Sequence, residues 1–293
     1  MDHRAALLVL LRQRLETLIE AMPAAQGGDV RSVHQARVAT RRLREALPVL
    51  RKSLDAHAID RARQRVRRMT RALGPVRELD VSLQQLEDFA NRGIATSRAI
   101  SKVRQSITQE RLRRRRDMLT AITPGKVDRL RRELSSVGSG PPVGGRPGAI
   151  RDAVHRVETR AERLRKAIEA AGSLYLADRL HTVRIAAKKL RYAMEIEREL
   201  KRSRVTARIR QLKTLQDLLG RMHDLHVLAE SARAVQAQVA GKDRRLTEDL
   251  DALINAIEDD ARTEHGKYMR KREAILKLLD SPTLPEVRQP AVA

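Results

Sequence analysis

The feature that most constrains this 293-residue chain is that its two halves repeat one another. The segment VHQARVATRRLREAL, from Val33 to Leu47, lines up with LHTVRIAAKKLRYAM, from Leu180 to Met194. His34 pairs with His181, Arg37 with Arg184, Arg41 and Arg42 with Lys188 and Lys189, and Arg44 with Arg191. At nearly the same offset, LGPVRELDV from Leu73 pairs with LGRMHDLHV from Leu219. Two matches at one offset mark an internal duplication, so the fold has to present each motif twice.

The stretch from Ser135 to Gly148, SSVGSGPPVGGRPG, is crowded with Gly, Pro and Ser, lacks apolar periodicity and reads as a linker. The chain therefore divides into a first half, 1–136, a linker, 137–148, a second half, 149–280, and a Pro-rich tail, 281–293. Apolar residues recur at helical spacing throughout, and Val and Ile never alternate between turn residues, which leaves no strand pattern. Helices are predicted near 3–22, 31–54, 58–73, 78–90 and 96–122, with a short one after Thr123 and Pro124. The second series falls near 150–171, 176–200, 205–219, 222–240 and 243–279. Gly74-Pro75 and Gly220 are expected to stop the third helix of each series. With one Phe, three Tyr and no Trp, the core must be aliphatic.

On a helix turning about 100° per residue, Val33, Ala36, Ala39, Leu43, Ala46, Leu47 and Leu50 share one face. Beside it runs a second stripe, His34, Arg37, Arg41 and Arg44, covering roughly 15 Å of helix. His181, Arg184, Lys188 and Arg191 repeat it beside Leu180, Val183, Ala186, Leu190 and Met194. Like charges at these spacings destabilise a helix by a few tenths of a kcal/mol per pair, and no acidic residue falls inside either stripe. A lone charged stripe is ordinarily a solvated face. Two of them, unrelieved and adjacent to the core, point to a multiply charged anion.

The whole chain agrees in sign. Lys and Arg number 61 against 37 Asp and Glu, a formal net charge of +24, so the partner class is polyanionic: nucleic acid, polyphosphate or an acidic membrane surface. Arginine dominates, and its planar fork can grip two phosphate oxygens at once. The histidines at 34 and 181 fit two roles, donors to phosphate or bridges between helices. His223 and His226, at i and i+3, raise a metal reading, but their counterparts are Arg77 and Asp80, and no zinc framework accompanies them. Arg67 and Lys213 are equivalent by the repeat and stand one helix away from the stripes. Dense basic runs follow at Arg113 to Arg116 and Lys267 to Arg272, while Asp80, Asp217 and Asp224 are placed to orient arginines or simply to pair with them.

Other classes are disfavoured. Without cysteine there is no disulfide framework, thiolate zinc site or cysteine nucleophile. No P-loop, Gly-x-Ser-x-Gly elbow or Gly-rich dinucleotide turn is present, and the acidic residues do not gather as a magnesium site. The apolar run near the N-terminus is interrupted by Arg12 and Arg14 too soon for a membrane span, so it reads as a core helix of a soluble cytoplasmic protein.

At these residues the chain resembles the conserved histidine α-helical domain family, abbreviated CHAD. The hallmark is a repeated His-x-x-Arg-x-x-x-(Arg/Lys)-(Arg/Lys)-x-Arg helix, matched at His34 to Arg44 and His181 to Arg191. In each half it is followed by Leu-Gly-x-x-(Arg/His)-Asp-Leu, present as Leu73 to Leu79, with Glu78 in place of Asp, and as Leu219 to Leu225. The resemblance implies an all-α fold of two pseudo-symmetric four-helix bundles around a basic central groove or pore. It further implies binding of inorganic polyphosphate, often at polyphosphate granules; the residues themselves lead us to expect no cofactor, metal or catalytic site. By position the implied contacts are His34, Arg37, Arg41, Arg42, Arg44, His181, Arg184, Lys188, Lys189 and Arg191, with Arg77, Lys213 and His223 next and Arg67 as the partner of Lys213. Two alternatives stand beside this. Sequence-blind nucleic-acid binding needs only phosphate contacts, although 1% aromatic residues leave almost nothing for bases to stack on. The other is an enzyme of polyphosphate metabolism.

Overall fold

The computed structural model describes residues 3–51, 55–137, 147–201 and 206–280. Among them every regular element is an α-helix. The first half holds α1 (His3–Gly27), α2 (Val30–Leu50), α3 (Ala56–Asn91), α4 (Ser97–Ala121) and α5 (Pro124–Ser136). The second holds α6 (Pro147–Ala171), α7 (Ala177–Lys201), α8 (Thr206–Val239) and α9 (Arg244–Asp280). The all-α expectation is met. Residues 138–146 of the expected linker and the whole Pro-rich tail lie outside the described residues, while α5 carries helix through Ser136, into the Ser-rich start of that stretch.

Helix starts follow local chemistry. The side chains of Asp29, Asp55 and Thr96 accept backbone N–H groups at the first turns of α2, α3 and α4, from Ser32, from His57 and Ala58, and from Ala99. Pro124 opens α5 at the position where its missing N–H is harmless; Thr123 precedes it without making a side-chain cap bond. After α3 and α8, Gly93 and Gly241 take positive φ, and the chain reverses there.

The predicted breaks inside the third helices do not occur. The α3 helix runs straight through Gly74-Pro75 and α8 through Gly220, so each half has one long helix where two were expected. A mid-helix proline removes one backbone hydrogen bond and costs about 3 kcal/mol. Packing outweighs it, because Leu73, Gly74 and Val76 are all buried on either side of the proline. Gly74 serves a close approach instead of a helix end: a Cβ there would lie 2.6 Å from Nη1 of Arg37.

The long helices create three apolar cores. One lies in the first half, built on Leu18, Leu43, Ile59, Leu73 and Leu130; another lies in the second half, on Leu164, Val183, Leu212 and Tyr268. A third is shared. There Leu86, Phe89, Val103 and Ile107 of α3 and α4 pack with Leu225, Leu228, Leu250 and Leu253 of α8 and α9. Each fully buried leucine or phenylalanine contributes about 1.5–3 kcal/mol, so the halves are fastened by a common interior. Across the interface α2 packs on α7, α3 on α8, α1 on α7 and α6 on α2. These contacts set the two His-Arg helices side by side.

Candidate functional site

The apolar face of α2 is buried at Val33, Ala36, Ala39, Leu43, Ala46 and Leu47, and that of α7 at Leu180, Val183, Leu190 and Met194. With those faces committed to the cores, the adjacent basic stripes turn toward the interface. They meet in a cavity of about 500 Å³. His34, Arg37 and Arg41 of α2 line it together with Arg184, Lys188 and Arg191 of α7, and the long helices add Arg77 and Arg221. The carboxylates present are Glu78, Asp88, Asp217 and Asp224, so seven Arg and Lys side chains face four acids.

Those acids correct the expectation of unrelieved stripes. None lies within a stripe, but the neighbouring long helices supply them. Nη2 of Arg37 stands 3.3 Å from Oε1 of Glu78, and Nη2 of Arg184 stands 3.7 Å from Oδ1 of Asp224. Glu78 and Asp224 are equivalent by the repeat, so the same pairing occurs in both halves. Neutralisation is partial, and the surplus remains positive.

Burial makes that surplus costly. Arg37 is pushed down to about 10, by desolvation first and then by the nearby charge of Arg41. Arg184 is lowered by burial although Asp224 opposes the shift, and burial raises Asp224 against the pull of Arg184. Lys188 is the extreme case. Desolvation, followed by Arg184, Arg41 and Arg37, brings its ammonium down to about 6. His34 is lowered by burial and by Arg77, Arg41 and Arg37. Two guanidinium nitrogens at the site, Nη1 of Arg37 and Nε of Arg184, are buried without a hydrogen-bond partner. An unpaired buried donor costs about 1–3 kcal/mol, so a multiply charged anion would relieve both the repulsion and the missing bonds.

The remaining predicted residues have separate places. His181 and His223 face each other in a small adjoining pocket with His226, their Nδ1 atoms 3.2 Å apart. Burial followed by Arg184 holds His223 down to about 3, which favours the neutral ring and the bridging role. Among the described residues no three His, Asp or Glu side chains converge as a metal site. Arg42 and Lys189 do not line the cavity; Arg42 lies 3.9 Å from Glu195. Arg44 is half-buried beside Arg41, Arg67 and Arg63, while Arg67 and Lys213 are exposed on α3 and α8. Asp80 is wholly buried and accepts from Nε of Arg111 at 2.5 Å, a structural tie between α3 and α4.

Sequence reasoning missed Arg221, Gln85, Tyr192 and Gln216. The Oε1 of Gln216 accepts from Nε of Arg191 at 2.8 Å, its Nε2 donates to the Ala187 carbonyl at 3.0 Å, and the Arg191 guanidinium lies over the Tyr192 ring. The repeat does not preserve any of the four: Thr70, Pro75 and Glu45 stand at the positions of Gln216, Arg221 and Tyr192, and Ser231 at that of Gln85. The repeat therefore gave no signal for them. The Glu78–Asp224 equivalence was legible in the second motif.

Comparison with known proteins bears on this arrangement. The CHAD domain family model matches residues 9–233. No curated protein matches the chain. Among solved structures, PptA from Streptomyces chartreusis is similar with a TM-score of 0.67 at 16% identity, over 95% of this chain and 99% of that one. The CHAD domain from the plant Ricinus communis is similar with a TM-score of 0.66 at 22% identity, over 98% of this chain and 94% of that one. At such identities the likeness establishes the shared fold.

Proposed function

Since the chain belongs to the CHAD domain family, we propose that it binds inorganic polyphosphate in the cavity between α2 and α7, as a binding protein without catalytic activity. The observation that carries this reading is the convergence of both His-Arg stripes on one cavity with a surplus of positive charge. Arg37, Arg41, Arg77, Arg184 and Lys188 make the phosphate contacts, with His34 at the edge and Arg191, held by Glu195, at the closed end. Repeating phosphates suit such a site. Each anionic unit can meet a guanidinium fork, and a chain carries enough charge to offset several buried cations at once.

The catalytic alternative finds little chemistry to use. Glu78 and Asp224 are engaged with Arg37 and Arg184, and the other cavity acids stand among cations, so among the described residues the cavity carboxylates are not arranged to hold magnesium. Binding to a granule or to dissolved polymer would use the same face. No helix among the described residues is long and apolar enough to cross a membrane.

The test is competition at physiological salt between long-chain polyphosphate, duplex DNA and single-stranded RNA. Polyphosphate should displace both nucleic acids, and Arg41→Gln, which breaks no ion pair, should weaken the binding about tenfold. Equal or tighter binding of nucleic acid would overturn the proposal. Phosphate released from polyphosphate with magnesium present would overturn the non-catalytic part.

A further inference from the structure

The cavity does not account for the arginines around Arg44. On α2, Arg44 lies within electrostatic reach of Arg41, a cavity residue, and of Arg63 and Arg67 on α3. The α6 helix, packed on α2, brings Arg160 into reach of the same Arg44, with Arg156 and Arg163 on the same stripe of α6. Nη2 of Arg160 is held 2.6 Å from Oε2 of Glu45, both side chains nearly buried. That ion pair occupies the carboxylate set among these arginines, which also attracts the neighbouring Arg44. Arg44, Arg63, Arg67, Arg156 and Arg163 form no ion pair with any described residue. Arg41 belongs to both groups, so the charge is continuous from the cavity onto this face.

The other half keeps only Lys213, the exposed equivalent of Arg67, while Ile209 stands at the place of Arg63. Buried Leu11, Leu18 and Met22 of α1 occupy the register of Val157, Leu164 and Ile168 of α6, and Arg14 falls at the place of Arg160. In that register Leu10 and Thr17 stand where α6 has Arg156 and Arg163. Arg191, the equivalent of Arg44, is bound to Glu195 at 2.6 Å. Arg42 and Arg14 are held near Glu195 and Glu199. Carboxylates close that side.

We infer that the polyanion site leaves the cavity on one side only, along a lane of Arg44, Arg63, Arg67, Arg156 and Arg163 that takes the part of a long polyphosphate chain the cavity cannot hold. The lane rests on the polyphosphate reading of the cavity and adds a preference for length. Arg63 and Arg67 are one helical turn apart, and Arg156 to Arg163 spans about 10 Å of α6, so several phosphates can be met in sequence. Contacts made after the cavity is filled are intramolecular extensions of one binding event, and they strengthen binding only of chains long enough to reach them.

The test compares the triple variant Arg63→Gln/Arg156→Gln/Arg163→Gln with a control triple, Lys242→Gln/Arg244→Gln/Arg245→Gln, exposed residues at the α8–α9 turn. Affinities are measured for tripolyphosphate and for long-chain polyphosphate, with thermal melting to show that both variants fold. The lane variant should lose about tenfold for the long chain and less than about twofold for tripolyphosphate, the control less than about twofold for either. Equal losses for both lengths, or a long-chain loss no greater than the control's, overturn the lane while leaving the cavity assignment standing. If the unsubstituted protein binds neither polymer, the cavity assignment fails and the lane with it.

Discussion

Replacing Lys188 by methionine should stabilise the ligand-free protein, by an amount that changes with pH. The ammonium is largely removed from water and stands among Arg184, Arg41 and Arg37, with Asp224 the opposing charge; its folded pKa is about 6 against an ordinary 10.5. The sign follows from proton counting. Between those two values the unfolded chain holds a proton that the folded protein has released, so wild-type stability rises with pH, by roughly 1.4 kcal/mol per pH unit. At pH 7.5 the proton given up on folding costs roughly 4 kcal/mol, and at pH 9 about 2 kcal/mol. Below pH 6 the penalty is complete, and above 10.5 it is gone. Methionine has similar length and no proton to lose, so it escapes this dependence. Urea denaturation followed by circular dichroism, at several pH values between 6.5 and 9.5 and without polyanion, gives the difference between variant and wild type. That difference should shrink steadily as pH rises. A stability gain that stays constant over this range, or no gain at all, would refute the argument that Lys188 gives up its proton on being buried among cations.

The same lysine couples binding to protons: recharging it at pH 7.5 costs about 2 kcal/mol, so polyphosphate affinity should fall from pH 6 to 8.5, with proton uptake seen by calorimetry in buffers of different ionisation enthalpy. Gly220→Ala should stabilise α8 by about 1 kcal/mol, as nothing lies within 4 Å of the added Cβ. By contrast, Gly74→Ala meets the Arg37 guanidinium and should gain no stability while weakening polyphosphate binding, measured by melting and titration. Glu195→Gln frees Arg191 and Arg42 and should raise long-chain affinity several-fold while lowering stability by about 1–3 kcal/mol, read by titration and urea unfolding. Arg160→Met leaves Glu45 as a buried, unpaired charge and should cost about 3–5 kcal/mol by the same unfolding assay.

The sequence by itself determined the all-helical class, the duplication and the two stripes, because helical periodicity and a repeated motif are properties of residue order alone. It also placed Arg37, Arg41, Arg184 and Lys188 beside the core, and those side chains share the cavity. Helix continuity at Gly74-Pro75 was decided elsewhere, since burial of Leu73 and Val76 is a tertiary gain that exceeds a local backbone loss. So were the partial neutralisation by Glu78 and Asp224, the meeting of His181 with His223, and the one-sided run of unpaired arginines. Each depends on which helices become neighbours, within one half for the Arg37–Glu78, Arg184–Asp224 and His181–His223 contacts and between the halves for the arginines of α2 and α6. Charge is additive along a chain, but its pairing, and therefore its cost and its use, belongs to distances that only packing sets.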